Sequence, residues 1–161
     1  MNSCFFTGHR YAPSDNLLIA KTGDVIIDLI TNKGITEFYT GGAVGWDTIC
    51  ASLILSMKGI YPQINLNLVL PCPAEAQTAK WDSEQREKFN SILKRANSIE
   101  IVSPKYTADC MKKRNARLAE LGDICICYFN EDDIRSGTAQ TVRMAKESGK
   151  EIINMYDFSE E

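Results

Sequence analysis

Six short apolar runs alternate with five amphipathic segments along this chain, and that alternation restricts the fold more than any other feature. The runs at 4–6 (CFF), 35–40 (ITEFYT), 64–70 (INLNLVL), 99–102 (IEIV), 124–129 (ICICYF) and 151–155 (EIINM) have the length and residue types of buried strands. The segments at 14–34, 46–59, 83–96, 108–122 and 138–149 read as helices. In the first of these, Leu18, Val25, Ile26, Leu29 and Ile30 fall near helical spacing, and Gly34 is a natural stop. In the second, Trp46, Ile49, Leu53 and Met57 make one apolar stripe, which assigns Trp46 to the core. Strand–helix alternation of this kind predicts an α/β fold, a Rossmann-like doubly wound and mainly parallel sheet with helices on both faces. No repeat or linker divides residues 1–161, so one domain is expected, with 155–161 as a frayed tail.

Composition narrows the class of function. With 161 residues, 44% of them apolar and 24% charged, the chain can bury a core of its own. No apolar run approaches the ~20 residues of a membrane span, and the N-terminus lacks a basic segment ahead of an apolar one. None of the six cysteines forms C-x-x-C, and most lie inside apolar runs, where a thiol acts as a small hydrophobe. A reduced cytoplasmic setting is expected. With one histidine and no thiolate spacing suited to zinc, no metal or cofactor is required. The net charge of −3 argues against a broad footprint for duplex nucleic acid but leaves room for a local basic patch.

The glycine turns are not scattered. TGHR (7–10) follows the first strand, TGGAVGWD (40–47) the second, and RSGTAQT (135–141) the fifth. In an open α/β sheet all three lie at the carboxyl ends of strands, the edge that binds ligands. Glycine lets backbone approach a ligand, and a helix start behind it offers free N–H groups to an anion. Neither G-x-x-x-x-G-K-[ST] nor G-x-G-x-x-G occurs, which excludes the familiar phosphate loop and dinucleotide fingerprint.

Individual residues carry two readings each. Asp47 is either a first-turn acid that suits the helix dipole or a carboxylate that serves a ribose or a glycosidic transition state. Arg10 is either a surface ion-pair partner or a bidentate phosphate clamp. His9 suits acid/base work or a loop-orienting hydrogen bond. Trp81 either stacks on a base or caps the core. Arg114 and Asn115 lie on a helix whose basic residues could simply be solvated. Ser136 and Thr138 can add hydroxyls to the backbone amides of the third turn.

At these positions the chain resembles the SLOG superfamily of Rossmann-like proteins. TGGAVGWD is similar to the SGxAxGxD turn of the DprA/Smf proteins and the GGxxGxM turn of the LOG (Lonely Guy) proteins. The ordered set resembles the YpsA-like branch: Thr7-Gly8-His9-Arg10, then Gly41-Gly42-Ala43-Val44-Gly45-Trp46-Asp47, then Pro71, Gln77 and Trp81, then Arg114-Asn115, and finally Ser136-Gly137-Thr138. The resemblance implies a nucleotide or nucleotide-derived ligand, with phosphate held at Thr7, Gly8, Arg10, Gly41, Gly42, Gly45, Ser136, Gly137 and Thr138, Arg114 as a second anion contact and Asn115 as a base or ribose contact. LOG proteins are phosphoribohydrolases that use the Glu of PGGxGTxxE; here Thr141 falls at that place. Three readings follow. The first is a sensing or regulatory nucleotide-binding module. The second is an N-glycosidase acting on nucleoside monophosphates, with Asp47 and His9 as candidate catalytic groups. The third is a DprA-like binder of single-stranded DNA that uses Lys112, Lys113 and Arg117. Resemblance also implies a homo-oligomer; no membrane partner is expected.

Overall fold

A computed structural model describes residues 2–13 and 15–158. Six strands form one parallel sheet: β1 (Ser3–Gly8), β2 (Glu37–Thr40), β3 (Asn65–Leu70), β4 (Ser98–Ile101), β5 (Ile124–Tyr128) and β6 (Glu151–Asn154). Their spatial order is β4-β3-β2-β1-β5-β6, and every neighbouring pair is parallel. The chain therefore winds outward from β1 to β4, then returns past β1 to continue with β5 and β6. The winding reverses between β1 and β5, the switch point where such sheets open a ligand crevice at their carboxyl ends.

Each central strand feeds two cores, which explains why the runs are apolar almost throughout. Cys4 and Phe6 of β1, Leu66, Leu68 and Leu70 of β3, and Ile124 and Ile126 of β5 enter one core. The alternate residues Phe5, Val69, Cys125 and Cys127 enter the other. The first core is covered by α1 (Asn16–Lys33), α2 (Trp46–Met57) and α4 (Ser83–Arg95), the second by α5 (Cys110–Leu121) and α6 (Gly137–Glu147). A short helix, α3 (Ala74–Gln77), interrupts the connection after β3, where no helix was expected.

Local signals set the ends. Asp15 caps α1 by accepting from the Leu17 N–H at 2.9 Å, and Gly34 closes the helix in the left-handed region at φ 67°. The expected start of α1 at residue 14 lies outside the described residues. Asp82 and Gln85 form a reciprocal capping box at α4. By contrast, α2 has Gly45 at its N-cap position and no side-chain cap, and its first N–H, that of Trp46, donates to the His9 carbonyl.

Three expectations need correction. The buried stripe of α2 is Trp46, Cys50, Ile54 and Met57, while Ile49 and Leu53 are half-buried, because the sheet covers this helix one residue further round. β1 extends past the expected 4–6, since Thr7 and Gly8 pair with Cys127 and Tyr128. Finally, residues 155–158 do not fray. Met155 is fully buried, its N–H donates to the Cys127 carbonyl at 2.8 Å, and Tyr156–Phe158 form a 3-10 turn with Lys21 above the Phe158 ring. Residues 159–161 lie outside the described residues. No described helix is long and apolar enough to cross a membrane.

Candidate functional site

The turn between β2 and α2 is held from behind by its carbonyl groups. Arg114 Nη1, arriving from α5, donates to the Gly41 carbonyl at 2.5 Å. Gln77 Nε2, from α3, donates to the Gly42 carbonyl at 3.3 Å. Thr48 Oγ1, from α2, donates to the Ala43 carbonyl at 3.0 Å. The Ala43 N–H donates to Asp47 Oδ2 at 3.1 Å, and the Trp46 N–H to the His9 carbonyl at 3.1 Å. The N–H groups of Gly42, Val44 and Gly45 donate to nothing among the described residues. Three carbonyls are thus drawn away from the turn and three donors are left over. With the uncapped start of α2 beside them, these donors suit an anion.

Gly45 is the residue this geometry cannot do without. Its φ of 81° is closed to side-chain-bearing residues, and an added Cβ would collide with the backbone carbonyl of Arg10. Gly45→Ala is expected to cost about 2 kcal/mol of stability and to separate the 41–47 turn from the 8–10 turn. Urea denaturation reads the first effect. A loss below 0.5 kcal/mol would mean that the two turns are not locked together.

Asp47 and Arg114 form the electrostatic centre. Both are nearly inaccessible, at 5% and 4% exposure. Burial raises the Asp47 carboxyl from 3.8 to about 6, although Arg114, the Ala43 N–H and Arg10 each pull it down. Burial also lowers the Arg114 guanidinium, which Asp47 partly offsets. Arg114 engages two of its donors inward, Nη1 on the Gly41 carbonyl and Nε on Asn115 Oδ1 at 2.9 Å. Besides the anion contact expected of it, Arg114 clamps the turn, which it reaches from α5 on the opposite face of the sheet. Three buried side-chain atoms lack partners among the described residues: Thr40 Oγ1, Asp47 Oδ1 and Gln77 Oε1. All three flank this one turn, and native interiors rarely leave such groups unpaired without a reason.

Of the two readings of His9, the geometry supports the loop-orienting one. Its Nε2 accepts from the Asn130 N–H at 3.0 Å, its backbone N–H donates to the Tyr128 carbonyl at 3.0 Å, and its ring stands edge-on to Phe129. It ties the end of β1 to the loop after β5. Trp46 is core, stacked on Tyr128, and Gly8 lies against it so closely that a Cβ would sit 2.5 Å from the indole ring. Thr7 is buried.

Beside the turn opens a cleft of about 780 Å³. One wall is Arg10, Tyr11 and Ala12, the floor is Ala43–Gly45 with Thr48 and Pro71, and the far wall is Gln77, Lys80, Trp81 and Lys88. Tyr106 and Met111 complete it. Its charged lining is wholly basic, and its aromatic residues are Tyr11, Trp81 and Tyr106. The third glycine turn does not line this cleft. Ser136 instead caps α6 by accepting from the Ala139 N–H at 3.0 Å, Thr138 is buried, and Gly137 lies against the Asn115 amide. Thr141, at the place of the LOG glutamate, is fully buried with its hydroxyl on the Gly137 carbonyl. The cleft-facing roles of Tyr11, Lys80, Lys88 and Tyr106 were not foreseen, since nothing in their spacing marks them as neighbours. Among the described residues no cluster of His, Cys, Asp and Glu could hold a metal ion.

Comparisons with known proteins agree with this architecture. Several curated relatives align at low identity, and two of them are the following. One is the UPF0398 protein BH1768 of Halalkalibacterium halodurans, 22% identical over 71% of this chain and 60% of that protein. The other is the uncharacterized SPbeta prophage-derived protein YoqJ of Bacillus subtilis, 24% identical over 77% of each chain. Among solved structures, DNA processing protein A from Helicobacter pylori, described with a single-stranded DNA binding mode, superposes with a TM-score of 0.60 at 19% identity. That likeness covers 95% of this chain and 64% of the Helicobacter protein, and at that identity it speaks for the fold. The model of the YspA SLOG family matches residues 16–159, taking in the 41–47 turn, Gln77, Trp81, Arg114-Asn115 and the 136–138 turn while leaving TGHR outside. The chain belongs to the YspA SLOG family.

Proposed function

We propose that this chain binds a nucleotide or nucleotide-derived ligand in the cleft beside the 41–47 turn and acts as a sensing or regulatory module. The observation that carries this reading is the clamped turn: carbonyls of Gly41, Gly42 and Ala43 tied back, N–H groups of Val44 and Gly45 left over in the cleft lining, and Arg10 beside them. Phosphate sits on those amides, and the base lies against the aromatic wall. The reading of a phosphoribohydrolase has less support. Thr141 offers no carboxylate and is turned into its own helix, and Asp47 is not among the residues that line the cleft.

Binding of single-stranded DNA is stated for the Helicobacter protein and is the rival reading here. The basic residues first considered for it are in part occupied: Lys113 pairs with Asp109 at 3.4 Å, and Arg117 with Glu100 at 2.8 Å and Glu120 at 2.6 Å. None of them lines the cleft.

A thermal-shift panel of nucleoside mono-, di- and triphosphates, cyclic nucleotides, NAD, ADP-ribose and ribose 5-phosphate tests the proposal. A ligand at ~100 times its Kd stabilises by about 2.7 kcal/mol, which for a domain of this size raises Tm by roughly 5–10 °C. Arg10→Ala should weaken the ligand that scores about tenfold while leaving its dephosphorylated nucleoside unchanged. A flat panel, together with oligonucleotide binding that falls steeply with salt, would replace this reading by the DNA-binding one.

A further inference from the structure

The cleft does not end at the turn. A second hollow of about 410 Å³ adjoins it, and Thr48, Ile49 and Lys88 line both. On α2 this hollow is bordered by residues 48, 49, 52, 53 and 56, and on α4 by 88, 91, 92 and 95, successive turns of one face of each helix. At about 1.5 Å per residue, the stretch from Thr48 to Ser56 is about 12 Å long. The hollow is therefore a groove that starts beside the Val44 and Gly45 amides and leads away from them between the two helices.

Its floor and its rim differ in chemistry. Ile49 and Leu53 stand one turn apart on α2 and are half-buried, and Ile92 joins them from α4. The core contacts of α2 are already supplied by Trp46, Cys50 and Ile54, so this second apolar row keeps water on its outer side. The rim is polar, with Ser52, Ser56 and Arg95 exposed. Among the described residues no carboxylate lines either hollow. Lys88 stands at the junction, 3.6 Å from Glu84 in a pair of largely exposed side chains, which is weak enough to yield to a phosphate.

We infer that the ligand is a nucleoside diphosphate whose distal phosphate carries an aliphatic chain, and that the chain lies in the groove between α2 and α4. The inference rests on the nucleotide-binding reading above and names the class of its ligand. The first phosphate takes the Val44 and Gly45 amides, the distal one takes Lys88, and the chain continues over Ile49, Leu53 and Ile92. Continuity and charge select this occupant: the groove opens out of an anion site, is entered past a cation, and turns apolar beyond it. A sugar in place of the chain would leave the apolar floor without an apolar partner.

The test is calorimetric titration of the whole chain with ADP, its β-ethyl, β-butyl and β-hexyl esters, and ADP-ribose. Adenine serves as the base because an aromatic face stacks on any base. Each added pair of methylenes should tighten binding about tenfold, so the hexyl ester should exceed the ethyl ester about a hundredfold. ADP-ribose should bind within a few-fold of the ethyl ester. Ser52→Trp, placed on the exposed rim, should fill the groove and flatten the ester series while leaving ADP unchanged. Esters that bind no tighter as the chain grows, with ADP still bound, would overturn the inference and leave nucleotide binding intact. ADP-ribose equal to the hexyl ester, or a slope that survives Ser52→Trp, would also overturn it, since the groove would then not hold an aliphatic chain. So would a flat series accompanied by a dimer, seen in sedimentation, that Ser52→Trp dissociates, because a second copy would then cover the groove. If neither ADP nor any ester binds, the broader reading fails and this one fails with it.

Discussion

Arg114→Met should lower stability by about 3 kcal/mol, a fall of roughly 6–12 °C in Tm, even with no ligand present. The side chain is 4% exposed and holds the Gly41 carbonyl and the Asn115 side chain from inside the protein. Methionine fills much of the space but donates no hydrogen bond and carries no charge. The Gly41 carbonyl is then left without its donor, and Asp47 loses the charge that most favours its ionised form. If that second loss matters, adding Asp47→Asn to Arg114→Met should return at least 1 kcal/mol, because the orphaned carboxylate is then gone. Denaturation of the wild type, both single variants and the double variant measures the coupling. Were Arg114 a ligand contact in the ordinary sense, its removal would leave Tm within about 2 °C and abolish binding, and the two substitutions would simply add.

This result bears on how far the sequence alone could reach. Strand and helix assignments followed from periodicity, which reports burial directly, so all six strands and the two-faced sheet were legible. The glycine turn at the carboxyl edge of the sheet was legible as well, because glycine at 41, 42 and 45 is informative about backbone however the rest of the chain is arranged. What periodicity does not report is the direction of approach. Arg114 lies on α5, which packs on the far side of the sheet from α2, so its guanidinium reaches the turn from that side and holds the Gly41 carbonyl. At the 136–138 turn, which has the composition of a phosphate loop, the Ser136 hydroxyl oxygen also caps α6, and the turn does not line the cleft. Gln77 was legible only as one member of a family-like set, since a glutamine in a polar connection has no physical signature until the carbonyl it holds is known.

Asp47 carries the last prediction, and its sign is fixed by burial. Its carboxyl is raised from 3.8 to about 6 in the folded protein, so the native state holds its proton more tightly than the unfolded chain does. The stability this contributes is present below about pH 4 and is lost as pH rises through about 6. At 1.36 kcal/mol per pKa unit the loss is about 3 kcal/mol. Asp47→Asn keeps an oxygen for the Ala43 N–H but does not ionise. The stability of the variant relative to the wild type should therefore increase by about that amount between pH 4 and pH 7.5, while every other titrating group cancels in the difference. A difference that stays level within 0.5 kcal/mol would refute the raised pKa. The same carboxylate should also oppose any anion on the Val44 and Gly45 amides once it ionises. Sulfate is the suitable probe, because phosphate monoesters change their own charge near pH 6. Sulfate should bind the wild type several-fold more tightly at pH 5 than at pH 7.5, and Asp47→Asn should abolish most of that dependence. By linkage, a bound anion must in turn raise the Asp47 pKa, so binding near pH 6 should take up protons from solution. An anion bound with no proton uptake would lie away from Asp47, and the 41–47 turn would then not be its site.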